Sequence, residues 1–172
     1  MLIVIGGLPR AGKTSLARRL AGILDAVHLP IETIEQAIRG STLTADAVGP
    51  VGYDVAYAVA EDNLGLGRSV VADGVNPLAT NRAGWRAVAT RTAVAFVEVE
   101  VICSDAIEHR RRVEAPRSDI AGPSVPTWDE VMALQYEPWT GDHAVIDTAR
   151  QPVDECVIEL HALLLAHERA VR

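Results

Sequence analysis

The run Gly7-Leu8-Pro9-Arg10-Ala11-Gly12-Lys13-Thr14-Ser15 combines residue types at a spacing suited to one task, holding the phosphates of a nucleoside triphosphate. Gly7 and Gly12 let consecutive backbone N–H groups curl around phosphate oxygens, and a helix opening beneath them adds the positive end of its dipole. Lys13 offers a compact ammonium to the β- and γ-phosphates, and the Thr14 hydroxyl is placed to ligate Mg²⁺. ATP and Mg²⁺ are therefore the expected cofactors. Among 16 basic residues Lys13 is the only lysine, so arginine fills every other basic position. A planar guanidinium is too bulky for this one, where a point charge on a flexible stem must reach terminal phosphates.

A second chemical position is Asp73, which closes Ser69-Val70-Val71-Ala72-Asp73. A carboxylate at the end of a β-branched run is placed to hold Mg²⁺ directly or through water, the alternative being an Asp that caps the next turn. Thr14 and Asp73 are the expected metal ligands. His28 and His109 have no partners at metal-ligand spacing, and no zinc pattern occurs. The two cysteines, Cys103 and Cys156, lie in apolar patterns and read as core fillers rather than a disulfide framework.

These residues need a scaffold, and the chain alternates short β-branched runs with amphipathic segments. Strands are expected at Leu2 to Ile5, Ala26 to Leu29, Ser69 to Ala72, Ala93 to Cys103 and Ala144 to Ile146. Helices are expected over Gly12 to Leu24, Thr33 to Arg39, Tyr53 to Leu66, Ala79 to Thr90, Asp105 to Val113, from about Thr127, and from Val153 to Glu168. Gly40 to Gly52 reads as a loop, and Glu114 to Pro126, with three prolines and no period, as a mobile one. Such alternation implies a parallel sheet covered on both faces, with ligands at the carboxyl ends of the strands. The phosphate loop and Asp73 both fall on that rim.

A length of 172 residues with 49% apolar content fits one well-cored domain spanning 1–172. The net charge of -7 disfavours a nucleic-acid partner, which would need clustered cations. No apolar run reaches about 18 residues, so neither a membrane span nor a signal peptide is expected and the protein reads as cytoplasmic.

The chain resembles the P-loop kinases of the nucleotide-kinase-like group, with an AAA-type ATP-binding domain. It is most similar to the branch holding polynucleotide kinase, chloramphenicol phosphotransferase and gluconate kinase. Three stretches carry the resemblance: Gly6 to Ser15, Asp73-Gly74-Val75-Asn76 with Arg82 and Trp85 beyond, and Arg110-Arg111-Arg112 with Arg117. It implies an α/β, three-layer P-loop NTPase fold whose five-stranded parallel sheet runs in the order 2-3-1-4-5. It also implies an arginine-containing LID at about 110–127 that closes over ATP, and an acceptor site between the second strand and that LID.

The group's catalytic acid follows the second strand, usually as Asp; the matching position here is Glu32. Its other reading is an acid favoured by the dipole in the first turn of a helix. Polynucleotide kinase carries an arginine three residues after the acid, where this chain has Glu35, so a phosphorylated acceptor is disfavoured unless Arg39 substitutes. Adjacent helical positions point about 100° apart, so Arg110, Arg111 and Arg112 cannot all face a nucleotide. Arg112 and Arg117 are expected at the transferred phosphate and Arg110 at the cofactor. Asn76 and Arg82 either face the acceptor or cap and solvate the following helix, while Tyr53 and Tyr57, at i and i+4, read as core before ligand. Trp128, Tyr136 and Trp139 are expected to pack the helix after the LID, and Asp147 and Thr148 to lie near a nucleobase.

The resulting expectation is an ATP-dependent kinase, monomeric or homodimeric, that phosphorylates a hydroxyl of a small molecule. Lys13, Glu32, Asp73, Arg112 and Arg117 would be its catalytic set. A polynucleotide or nucleotide kinase, and a non-catalytic nucleotide-binding regulator, are the alternatives.

Overall fold

The computed structural model describes residues 1–41, 48–115 and 126–171. Five parallel strands form one sheet: β1 (Leu2–Gly6), β2 (Val27–Pro30), β3 (Val70–Asp73), β4 (Phe96–Ile102) and β5 (Ala144–Asp147). Their order is β2-β3-β1-β4-β5, as the resemblance implies. The alternation of side chains along β1 sorts the core into two layers. Ile3 and Ile5 pack with Leu16, Ala17 and Leu20 of α1 (Lys13–Ile23) and with Cys156, Val157 and Leu160 of α7 (Val153–Val171). Leu2 and Val4 face the other way, onto Tyr53, Ala56 and Ala60 of α3 (Val48–Gly65) and Trp85, Val88 and Ala89 of α4 (Ala79–Thr92). With helices on both faces, the sheet is that of a three-layer P-loop NTPase.

The remaining helices are α2 (Ile31–Arg39), α5 (Ala106–Glu114) and α6 (Trp128–Met132). Asp105 caps α5 by accepting from the backbone N–H groups of Ile107 and Glu108. Thr127 and Glu130 form a reciprocal capping box on α6. Among the described residues no helix is long and apolar enough to cross a membrane.

Several expected boundaries move. Helix α3 begins at Val48, not Tyr53, so part of the expected Gly40 to Gly52 loop is helical. Pro50 is tolerated there because a first-turn residue has no intrahelical acceptor for its N–H. The β4 run is shorter than Ala93 to Cys103, because Ala93 takes a left-handed φ of 52° as the C-cap of α4. The helix after Thr127 stops at Met132.

Candidate active site

The phosphate loop joins the carboxyl end of β1 to α1, with the backbone bent in three places. Gly7 has φ 139°, Arg10 φ 64° and Gly12 φ 103°. At Gly7 a Cβ would stand 2.1 Å from the Val101 carbonyl oxygen, so the loop leaves β1 pressed against the neighbouring strand. Its ends are tied: the Gly7 N–H donates to the Val75 carbonyl at 3.1 Å, and the Ala11 N–H to the Leu8 carbonyl at 3.2 Å. The N–H groups of Lys13, Thr14 and Ser15 open α1 and, by helix geometry, have no intrahelical acceptor. They suit an anion.

Lys13 is buried and its Nζ donates to the Leu8 carbonyl at 2.8 Å, inside the loop itself. Burial lowers its pKa to about 8, against the opposing pull of the Asp73 and Glu32 carboxylates. Lys13, Asp73 and Glu32 therefore share one electrostatic neighbourhood. Asp73, at the end of β3, is almost fully buried and takes a hydrogen bond on each oxygen. The Thr14 hydroxyl donates to Oδ2 at 2.6 Å, and His28 Nε2 lies 2.7 Å from Oδ1. A hydroxyl and a carboxylate in contact are hard oxygen donors of the kind Mg²⁺ takes, one or two per site with phosphates and water completing the shell. Among the described residues no group of three or more His, Cys, Asp and Glu could hold a metal unaided.

Glu32 lies in the first turn of α2, exposed, accepting from Gln36 Nε2 at 3.3 Å. One turn on, Glu35 is half-buried against Gly52, paired with Arg39, and its carboxyl is pushed above the usual range by burial.

Helix α5 braces the loop from the other side. His109 Nε2 lies 2.8 Å from the Pro9 carbonyl, and Arg10 Nη2 donates to the Ala115 carbonyl at 3.2 Å. Buried Thr148 donates toward the Ala11 and Ile102 carbonyls, at 2.8 Å and 3.1 Å, while accepting from Arg112 Nη1 at 2.8 Å. Arg112 is further held by the Thr148 carbonyl and by Glu108. Arg110 and Arg111 are exposed and pair with Glu114 and Glu108. Arg117 and most of the expected LID lie outside the described residues.

Asn76 and Arg82 fit neither of their expected roles, because both are buried. The Asn76 backbone N–H donates to the Tyr53 hydroxyl and its Nδ2 to the Ile5 carbonyl, while Oδ1 accepts from Trp85 Nε1. Arg82 binds the Asn76, Glu137 and Pro138 carbonyls and lies 4.9 Å over the Trp139 ring. Together they fasten the β3 end to the Glu137–Trp139 segment. Tyr53 is core, and Tyr57 packs edge-on against Trp85 and donates to the Asn81 carbonyl. Trp128 opens α6 and packs that helix edge-on against His109 of α5, as expected. Asp147 accepts from the Ser104 N–H and Ala149 N–H and pairs with Arg150, which commits it to the β4 and β5 ends.

The sequence signals missed His28, His109 and Thr148 as supports of the site. Only the neighbour relations of β2 to β3, of α5 to the loop and of the β5 end to the loop reveal them.

A bent glycine loop running into a helix, a buried lysine within it and a strand-end acid on the loop's threonine define a P-loop domain of the kinase-like fold. The AAA domain family matches residues 2–127, and the chain belongs to it. No curated protein sequence matches. Similar solved structures include a sugar kinase from Janibacter sp. HTCC2649, with 18% identity, TM-score 0.71, and 95% and 93% of the two chains covered. Another is the APS kinase of Mycobacterium tuberculosis in complex with AMPPNP and APS, with 20% identity, TM-score 0.71, and 95% and 96% covered. A gluconokinase from Sinorhizobium meliloti 1021 is 20% identical at TM-score 0.66, with 98% and 94% covered. At such identity the likeness establishes the shared fold.

Proposed function

We propose that the chain, acting as a single domain over residues 1–172, is an ATP-dependent phosphotransferase that moves the γ-phosphate to a hydroxyl of a small molecule. The observation that carries this is the Thr14 Oγ1 to Asp73 Oδ2 contact of 2.6 Å beside the buried Lys13 ammonium. It supports an oxygen-donor metal site next to a phosphate cradle, and the solved sugar kinase, gluconokinase and APS kinase with AMPPNP share the fold around it.

The loop residues Gly7, Leu8, Pro9, Arg10, Ala11, Gly12, Lys13, Thr14 and Ser15 would hold the triphosphate, with Lys13 leaving Leu8 for the β- and γ-oxygens. Thr14 and Asp73 would hold Mg²⁺, which when bound neutralises charge developing on the phosphoryl oxygens. Glu32, whose carboxylate acts on the Lys13 ammonium, would accept a proton from the acceptor hydroxyl as the hydroxyl oxygen bonds to the γ-phosphorus and the β–γ bridge breaks. Arg112 and Arg117 would stabilise the transferred charge from the LID, with Arg110 at the cofactor. The net charge of -7 and the carboxylates Glu32 and Glu35 on α2 favour an acceptor without phosphates. The same features argue against a polynucleotide partner.

The test is ADP release measured across a panel of sugars, sugar acids, nucleosides and aminocyclitols, with Lys13→Ala as control. Acceptor-dependent release that the substitution abolishes supports the assignment. Tight MgATP binding with no acceptor-dependent release marks a nucleotide-binding regulator instead.

A further inference from the structure

We propose that His28 is a positioning residue which fixes the Asp73 carboxylate in its metal-binding orientation. The proposal rests on the assignment of Thr14 and Asp73 as Mg²⁺ ligands.

Strands β2 and β3 are parallel with His28 opposite Val71, so Asp73 stands two residues further along on the same face of the sheet. That diagonal is within reach of an imidazole, and His28 Nε2 meets Asp73 Oδ1 at 2.7 Å. A carboxylate only accepts, so Nε2 is the donor. The opposite oxygen takes the Thr14 proton, which leaves the lone pairs of Thr14 Oγ1 for a metal. One anchor would let the carboxylate turn about its terminal torsion, which is broad and nearly two-fold. Anchors on both oxygens, one from β2 and one from α1, remove that freedom.

The chain has spent a polar ring on this contact where the edge strand did not need one. The other residues of β2 are Val27, Leu29 and Pro30, whereas the His28 side chain is 19% exposed and turned onto a carboxylate that is 3% exposed. Partners that orient a ligand without touching the metal change metal affinity by about 10–100-fold when removed. A contact serving only to satisfy a buried carboxylate would change fold stability and leave metal affinity alone.

The experiment titrates Mn²⁺ into the full chain saturated with ADP, following free Mn²⁺ by electron paramagnetic resonance, for wild type, His28→Ala and His28→Gln. Thermal melts of all three establish that they fold. His28→Ala is expected to bind Mn²⁺ in the ternary complex about 10-fold or more weakly. ADP affinity in EDTA should stay within about twofold, and His28→Gln, whose amide N–H reaches a similar place, should recover most of the loss. Equal Mn²⁺ affinity for His28→Ala and wild type overturns the proposal, as does a parallel fall in ADP affinity in EDTA. Wild type that binds no Mn²⁺ with ADP overturns both this and the metal assignment. Wild type that binds Mn²⁺·ADP but phosphorylates nothing removes the kinase assignment alone, and the comparison of variants still decides the role of His28.

Discussion

Lys13 Nζ donates to the Leu8 carbonyl at 2.8 Å, so the loop closes upon its own ammonium. In the proposed mode of binding, a nucleotide would exchange that carbonyl for phosphate oxygens. Burial holds the Lys13 pKa at about 8, below its ordinary value of 10.5, and phosphates would raise it again. Between pH 8 and 10.5 the unfolded chain binds more protons at this group than the folded one, so its contribution to stability without nucleotide grows as pH rises through that window. Nucleotide affinity moves oppositely. Above pH 8 binding takes up a proton, and affinity should fall by about tenfold per pH unit; calorimetry in buffers of different ionisation enthalpy reads the uptake directly. A flat affinity from pH 7.5 to about 9.5 would refute this.

Glu32→Gln separates chemistry from binding. Loss of a general base lowers turnover by about 10²–10⁴-fold, whereas MgATP affinity should stay within about twofold because the loop is untouched. Steady-state rates beside equilibrium titration with a fluorescent nucleotide make the comparison. Unchanged turnover would return Glu32 to the role of a first-turn acid on α2.

Thr148 ties three elements together through one hydroxyl, with the Ala11 carbonyl at 2.8 Å and Arg112 Nη1 at 2.8 Å. Thr148→Val keeps the shape and removes the hydroxyl, leaving a buried loop carbonyl without its donor. The expected cost is about 1–3 kcal/mol in urea denaturation, with weaker nucleotide binding as the loop loosens. Arg112→Ala should weaken nucleotide binding less than Thr148→Val if Arg112 acts mainly through this bridge.

Asn76→Ala removes a buried side chain that satisfies Trp85 Nε1 and the Ile5 carbonyl, at a position with a left-handed φ of 50°. Trp85 Nε1 loses its acceptor, the Ile5 carbonyl keeps the Gly74 N–H at 3.1 Å, and the backbone gains strain, so a loss of about 2 kcal/mol is expected by chemical denaturation. Because the contacts are structural, kcat and KM of the surviving folded protein should change little.

Much of the site is legible in the order of the amino acids. Gly7, Gly12 and Lys13 carry backbone demands and charge that only one loop satisfies, and Val70 and Val71 announce a buried strand that must deliver Asp73 to the rim. The start of α3 is hidden because Gly49, Pro50 and Gly52 look like breakers, yet a proline costs no hydrogen bond in a first turn, and Gly52 lets Glu35 pack closely. Asn76 is hidden because an asparagine after a strand has the local signature of a cap. The contact of His28 with Asp73 depends on the register of β2 against β3, and that of Arg112 with Thr148 on packing between segments 36 residues apart. Neither relation leaves a local pattern.

Because the chain's only ε-amine lies inside the phosphate loop, any reagent aimed at lysine side chains has a single target here, and a nucleotide in the proposed site would shelter it. Lysine acylation followed by intact-mass spectrometry would then count occupied molecules one by one. By the same token, immobilising the protein through lysine would bind it to the support by the group proposed to hold phosphate.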